Sequence, residues 1–231
     1  RRGSGKSGLI EIDTPGQQII ERTCVSITAD WVEARFAVGL PAAGRRVLGR
    51  EAGALLCDDV PAIVDRALHY RNNDAELIQR YVESSEDADA LRRQLADQNL
   101  VAFVANDSVL PRRSGVDDRP LDDNAIPFKA PPSLQAQFDL PNAGPVSGMG
   151  IPRGVSLIVG GGFHGKSTLL NALERGVYNH IPDDGRHLVV TDSSAVKVRA
   201  EDGRRVAGVN ISPFIKDLPY GRATDAFCTD N

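Results

Sequence analysis

The chain has 231 residues, 41% of them hydrophobic and 25% charged, which is ordinary for a globular protein of one large or two modest domains. The formal net charge of −4 excludes nucleic-acid binding driven by the overall charge of the chain, although it leaves a local basic patch open. Cys24, Cys57 and Cys228 are widely spaced and form no C-x-x-C pair, which excludes a disulfide framework and a cysteine zinc site.

No segment of the sequence has the character of a membrane span or a secretion signal. The longest apolar runs fall well short of the ~18 residues that a spanning helix needs. The reduced cysteines also favour an intracellular protein. We therefore expect a soluble, cytoplasmic protein without a membrane partner.

The first eight residues are basic and rich in glycine, and they contain Gly5-Lys6-Ser7, the tripeptide that ends a phosphate-binding loop. The rest of that loop pattern would lie before Arg1, and the alternating residues Leu9–Asp13 predict a strand and not a helix after it. We interpret this start as a basic loop. Contact of Arg1, Arg2 and Lys6 with nucleic-acid phosphate is the alternative.

Residues 9–50 predict short strands, and residues 51–98 predict helices. Alternation of apolar and polar residues indicates three strands, at 9–13, 24–28 and 32–39. Pro61 suits the first turn of a helix, and Asp74 can cap the next one. A third helix is predicted to start at Asp87 or Asp89. Arg45, Arg46 and Arg50 form a small basic cluster that suits a solvated strand end as well as a binding patch.

The middle of the chain predicts a buried strand followed by a long connector. Leu100–Ala105 has the continuous apolar character of a buried strand, and residues 106–132 are rich in loop signals. Arg112, Arg113 and Arg119 of this connector could reach phosphate. Pairing with the nearby carboxylates explains them equally well, the candidates being Asp117, Asp118, Asp122 and Asp123.

The strongest signal is the segment that follows. Residues 133–140 alternate like a strand, and residues 141–154 are a link rich in glycine and proline. Val155–Val159 predicts a buried strand. Gly160-Gly-Gly-Phe-His-Gly165-Lys166-Ser167 then matches the phosphate-loop pattern G-x-x-x-x-G-K-[ST], and a helical apolar stripe follows until Gly176. Strand, glycine-rich loop and helix is the order that nucleotide binding requires.

The residue types of this loop assign a role to each position. Glycines allow the backbone to approach phosphate closely, and the following helix turns its positive end toward the anion. Lys166 is expected to contact the β- and γ-phosphates and to serve in catalysis, Ser167 to hold Mg²⁺, and Thr168 to meet the α-phosphate. The predicted site for ATP or ADP with Mg²⁺ comprises Gly160, Gly161, Gly162, Phe163, His164, Gly165, Lys166, Ser167 and Thr168.

Hydrolysis requires an acidic residue at the end of a second strand, which holds Mg²⁺ and polarises water. Downstream of Lys166 the best match is His187–Asp192, which follows the helix too early. We therefore expect the catalytic carboxylate to lie beyond Asn231 and this chain alone to be inactive.

The segment from Gly148 to Pro182 closely resembles the predicted ATPases of the ABC class. So do residues 2–8, 45–51, 110–120, 191–204 and 209–215, and the resemblance therefore covers nearly the whole chain. It implies an α/β fold in which the first part of an ABC-type ATP-binding domain follows a smaller mixed α+β domain. It also implies a second ABC domain or a homodimer that closes over ATP.

On this basis we predict an N-terminal domain at 1–105, a connector at 106–132 and a truncated nucleotide-binding domain at 133–231. Phe138 lies where many ABC-type ATPases place an aromatic that stacks on adenine, although a core phenylalanine is the favoured interpretation. An RNA-binding module switched by nucleotide is the alternative function, and it depends on the basic residues Arg1, Arg2, Lys6, Arg45, Arg46, Arg112 and Arg113. A GTPase is disfavoured because the sequence has no Asn-Lys-x-Asp motif.

Overall fold

The computed structural model describes residues 6–121, 124–161, 164–198, 205–213, 215–216, 218, 221 and 223–228. The chain divides into two compact units between Ala195 and Val196. The described part of the second unit contains an antiparallel bridge between Val209 and Phe227. Among the described residues, no helix has the length and apolar character needed to cross a membrane.

The first unit opens with short antiparallel strand pairs. The strands are β1 (Ile10–Glu11), β2 (Gln18–Ile19), β3 (Val25–Ile27), β4 (Val32–Ala34), β5 (Ala37–Val38), β6 (Ala42–Ala43) and β7 (Arg46–Val47). The prediction of one strand over residues 32–39 is wrong. The chain breaks at Arg35 and Phe36 because β4 pairs with β3 whereas β5 pairs with β1.

Three helices follow. They are α1 (Gly49–Ala54), α2 (Val60–Leu68) and α3 (Ala75–Gln94), with a π-helical turn at Leu55–Asp59 joining the first two. Pro61 lies in the first turn of α2, and the carboxylate of Asp74 accepts the Leu77 N–H at 3.1 Å, as predicted.

The predicted third helix does not exist as a separate element, because α3 runs without a break through Asp87. Asp87 is buried in α3, and its carboxylate accepts the backbone N–H groups of Asn142 and Ala143, both at 2.9 Å. Its acidic side chain therefore stabilises a distant turn and does not cap a helix.

A four-stranded antiparallel sheet forms the centre of this unit. The remaining elements are β8 (Leu100–Ala105), β9 (Gln135–Leu140), β10 (Gly144–Pro152), α4 (Lys166–Arg175), β11 (Asn179–His180) and β12 (Val189–Thr191). The sheet has the order β12-β8-β10-β9, and β11 pairs with β2 instead. The sheet thus joins β8, which precedes the predicted connector, to β9 and β10, which follow it.

Strand β10 replaces the predicted glycine- and proline-rich link, and that prediction is wrong. A Cβ on Gly148 would lie 2.2 Å from the Val104 carbonyl oxygen, and one on Gly150 would lie 2.7 Å from a methyl of Leu100. These glycines are therefore required by the close approach of the neighbouring strand and do not mark a loop.

The two faces of the sheet are covered by different helices. On one face, Ala88 and Leu91 of α3, with Leu95 directly after it, pack with Phe103 and Phe138. On the other face, Ala172 and Leu173 of α4 pack with residues that alternate with the first set, including Ala102, Val104 and Met149. The sheet is thus buried on both sides, and α4 is held directly against it.

Candidate functional site

The phosphate-loop segment ends at the start of α4, as the sequence predicts. Gly165 precedes the helix with φ 78° and ψ 6°, the left-handed conformation that glycine adopts without a Cβ clash. Gly160 also has a positive φ, of 150°. Glycine at these two positions is therefore a requirement of the backbone. Gly162 and Phe163 lie outside the described residues.

The side chain of Lys166 folds back over the loop. Its ammonium Nζ donates to the Gly160 carbonyl at 2.7 Å and to the Gly161 carbonyl. The Gly161 N–H donates to Nδ1 of His164 at 3.2 Å, which requires that nitrogen to be unprotonated. The loop carbonyls thus hold the Lys166 ammonium, and the Gly161 N–H and His164 lie in the same loop.

Ser167 and Thr168 occupy the first turn of α4 beside Lys166. Ser167 is exposed and Thr168 is half-buried, so a ligand can reach the serine hydroxyl from solvent. The unpaired N–H groups at this end of the helix add positive potential. Sequence order and helix geometry therefore bring together the three side chains that were assigned to phosphate and Mg²⁺.

The other end of α4 is fixed to the sheet and to α3. The Thr191 hydroxyl donates to the Leu173 carbonyl at 2.7 Å, and the Thr191 N–H donates to the Gly176 carbonyl at 2.9 Å. Arg92 of α3 donates to the carbonyls of both Thr191 and Gly176, at 3.2 and 3.3 Å. Burial lowers the pKa of Arg92, and Asp89 opposes that shift. One end of the helix is therefore locked while the other faces the loop.

The predicted buried strand at Val155–Val159 is not formed. Val155 is 80% exposed and Val159 is 79% exposed, and no described residue pairs with this segment in a sheet. A strand requires a hydrogen-bonding neighbour, and the four strands of the central sheet pair with one another. The sequence pattern predicts the apolar character correctly but not the partner.

A cavity of about 660 Å³ opens beside the first turn of α4, and we call it the α4 cavity. Its residues come from the loop end, from α4 and from the connector between β8 and β9. They are Leu110, Pro111, Leu121, Asn124, Ala125, Ile126, Pro127, Phe128, Lys129, His164, Gly165, Thr168 and Leu169. Sequence analysis assigned no role to residues 124–129, since proximity to α4 leaves no pattern in the sequence.

Arg112 of the connector belongs to a buried polar group that we call the Arg112 cluster, formed by Arg112, Asp118, His180, Asp184 and Arg186. The Arg112 guanidinium donates to the Asp184 carboxylate at 2.6 Å and to its backbone carbonyl at 2.8 Å. His180 Nδ1 lies 2.7 Å from the same Asp184 oxygen, Oδ2. Burial, together with the nearby charge of Arg112, lowers the pKa of Arg186 to about 10. The predicted ion pairing of Arg112 is confirmed for Asp118, at 3.7 Å, whereas its closer partner Asp184 was not among the predicted carboxylates.

The Arg112 cluster joins distant parts of the first unit. Gln18 of β2 donates to the Asp118 carboxylate at 2.9 Å, and Arg175 at the end of α4 lies 3.6 Å from the same carboxylate. His180 and Asp184 were not predicted from the sequence. Their only signal was the four-residue spacing between a histidine and an aspartate.

The other predicted basic residues have different surroundings. Arg119 pairs with Asp117 at 2.6 Å, and its hydrogen bonds lower the pKa of Asp117 to about 2. The charge of Arg113 contributes to the same shift. The remaining candidates Lys6, Arg45, Arg46 and Arg50 are exposed, whereas Arg1 and Arg2 lie outside the described residues, as do Asp122 and Asp123.

The second Gly-Lys-Ser tripeptide is not a phosphate loop. Lys6 and Ser7 lie in turns, and the Ser7 hydroxyl accepts the Ala42 N–H at 2.8 Å. No helix starts there within the described residues, because the chain enters β1 at Ile10. The sequence-based rejection of this tripeptide as a nucleotide site agrees with its structure.

Phe138 is a core residue. Its side chain is buried, and its ring makes an edge-to-face contact with Phe103 at a centroid distance of 5.0 Å. A ring held in this way has no free face for a base, so the interpretation that the sequence favoured is correct.

Residues 74–231 match the family model of the ABC-class ATPase P-loop domain, and residues 1–71 match the model for the N-terminal part of an ATPase of the ABC class. The chain belongs to the ATPases of the ABC class. The predicted fold, a P-loop ATPase domain preceded by an N-terminal domain, is therefore confirmed, and the mixture of helices and strands agrees with it.

A relative of this ABC-class ATPase is an uncharacterized protein of Methanocaldococcus jannaschii. The two are 34% identical over 140 residues, which cover 57% of this chain and 31% of the relative. The chain therefore spans about a third of the length of the curated relative that it matches.

Proposed function

We propose that this chain binds ATP or ADP with Mg²⁺ at Gly160–Thr168, and that the whole protein hydrolyses ATP. The observation that supports this most strongly is the position of the Lys166 ammonium, bonded across the loop to the Gly160 and Gly161 carbonyls at the N-terminal end of α4. A positive charge held over a glycine loop at a helix N-terminus is suited to phosphate.

In this proposal Lys166 exchanges its carbonyl partners for the β- and γ-phosphate oxygens. Thr168 contacts the α-phosphate from the same first turn of α4. The glycine backbone, with His164 and the neighbouring Phe163, forms the rest of the loop. These groups hold the phosphate chain in position, which is the main contribution of the protein to phosphoryl transfer.

The loop offers one hydroxyl ligand to Mg²⁺, which is enough for a metal ion bound together with a nucleotide. Mg²⁺ takes most of its ligands from phosphates and water and needs only one or two from the protein. The exposed Ser167 hydroxyl in the first turn of α4 would be the protein ligand. When bound, the metal would neutralise phosphate charge.

Hydrolysis belongs to the whole protein in this proposal. A carboxylate would position the attacking water, and a second ABC domain or a second copy would close over the nucleotide.

The test compares two lysines that occur in the same tripeptide. Lys166→Ala removes a charged partner of phosphate, and we expect the Kd for ATP, measured by calorimetry with Mg²⁺, to rise at least about 100-fold. Lys6→Ala removes the exposed lysine of Gly5-Lys6-Ser7, and we expect no change in Kd. Unchanged ATP affinity in Lys166→Ala, with the fold intact by circular dichroism, would refute the assignment. Competition by GTP under the same conditions measures the preference for the base.

A further inference from the structure

The α4 cavity shares residues with the proposed phosphate site. Thr168 and Gly165 belong both to the phosphate-loop pattern and to the residues that surround the cavity. Its volume of about 660 Å³ lies within the range of about 300–1,000 Å³ that small-molecule sites occupy. The cavity is therefore large enough for the part of a nucleotide that the phosphate loop does not hold.

One wall of the cavity is a connector segment, residues 124–129, whose backbone is tied to the end of β8. The Phe128 N–H donates to the Ser108 carbonyl and the Asp107 N–H donates to the Phe128 carbonyl, both at 2.8 Å. The next turn is fixed as well, because the Asn106 side chain accepts the Ala130 N–H at 2.7 Å. A wall anchored in this way needs little ordering when a ligand binds, which favours affinity.

The same wall presents apolar groups at the cavity. Phe128 is half-buried and packs against the core cluster that contains Leu173, while also contributing to the cavity. Ile126 also lines the cavity and is 85% exposed, so burial of its side chain by a ligand would remove apolar surface from water. Asn124 and Lys129 add polar groups to the same wall.

The order of groups along a nucleotide indicates which part of it would enter the α4 cavity. With the β- and γ-phosphates at Lys166 and the α-phosphate at Thr168, the nucleoside follows the α-phosphate, and Thr168 lines the α4 cavity. Phe138 is unavailable for the base because its ring is buried against Phe103.

We propose that the adenine base of the bound nucleotide occupies the α4 cavity and packs against Ile126 and Phe128. This inference rests on the proposed function, since it takes the phosphates to be held by the loop. The connector thereby supplies base recognition, while the loop and α4 supply phosphate recognition.

The experiment separates the two parts of the ligand by measuring the affinity of each variant for Mg-ATP and for Mg-tripolyphosphate, which has no base. Ile126→Ala should weaken ATP about fivefold and leave tripolyphosphate unchanged, because it removes apolar contact with the base only. Phe128→Leu keeps an apolar side chain against the core and removes the ring, and it should weaken ATP about tenfold without affecting tripolyphosphate. The matched control is Val116→Ala, a fully exposed residue of the same connector outside the cavity, which should change neither affinity.

The outcomes distinguish this inference from the function on which it rests. Wild-type binding of both ligands that is lost in Lys166→Ala, together with unchanged ATP affinity in Ile126→Ala and Phe128→Leu, would overturn the base site alone. Equal weakening of ATP and tripolyphosphate in these variants would also overturn it, because the wall would then act on the phosphate site. Wild-type binding of neither ligand would overturn both proposals. Should Phe128→Leu fail to fold, the exposed Ile126 decides the question.

Discussion

Replacing Arg112 by alanine should destabilise the protein far more than the same replacement of Arg119, a nearby arginine whose ion pair is equally short. The Arg112 side chain is 9% exposed and that of Asp184 is 0% exposed. The substitution removes hydrogen bonds of 2.6 and 2.8 Å and leaves the Asp184 carboxylate buried with His180 as its described partner. Breaking one side of a buried ion pair typically costs about 3–5 kcal/mol.

The assay is urea unfolding followed by circular dichroism. For a slope of about 2 kcal/mol per molar urea, the expected loss lowers the unfolding midpoint by about 2 M. The control is Arg119→Ala. Arg119 lies in the same connector and pairs with Asp117 at the same distance, 2.6 Å, but the two side chains are 59% and 28% exposed. Water and salt screen such a pair, so we expect its midpoint to stay at the wild-type value.

The two pairs lie in the same connector and have the same length but differ strongly in burial, which is why the comparison tests the reasoning. Midpoints lowered by the same amount in both variants would show that burial does not set the cost. A shift below about 0.5 M for Arg112→Ala would show that the cluster contributes little to stability.

Two further predictions concern Phe138 and His187. Phe138→Leu should lower the free energy of unfolding by about 1–2 kcal/mol through loss of the contact with Phe103, with ATP affinity unchanged by calorimetry; weaker ATP binding at unchanged stability would instead support a stacking role. Burial lowers the pKa of His187, so the unfolded chain takes up a proton near pH 6.5 that the folded chain excludes until a lower pH. The free energy of unfolding should therefore fall as the pH drops from about 7 through this window. Urea unfolding at pH 5 and 7 should show a smaller difference between the two pH values in His187→Gln than in the wild type. An equal difference between pH 5 and 7 in the two proteins would contradict this reasoning.

Local signals in the sequence predicted the local features well. The Asp74 cap, the apolar run of β8 and the start of α4 after Gly165 each depend on residues within a few positions of one another, and all three are present. The same holds for the positive φ of Gly160 and Gly165, because the loop pattern itself requires glycine there.

Features that depend on distant partners were not predictable in this way. Gly148 and Gly150 have the composition of a linker, yet they lie in β10 because β8 approaches them closely. Asp87 has the character of a helix cap, but Asn142 and Ala143 hold it in the middle of α3. The α4 cavity shows the same limit at the site, since nothing local in residues 124–129 indicates that they lie beside Thr168.

In the proposed site, the hydrogen bonds of Lys166 would make phosphate binding an exchange reaction. Because the ammonium is bonded to the Gly160 and Gly161 carbonyls, an incoming phosphate must displace acceptors that the loop itself provides. The free energy of binding would then be the difference between the phosphate contacts and the carbonyl contacts of one cation. Stronger carbonyl contacts in the empty loop would make the affinity for phosphate lower. In the proposed site the two loop carbonyls thus compete with phosphate for the same ammonium, which weakens nucleotide binding relative to a lysine without such partners.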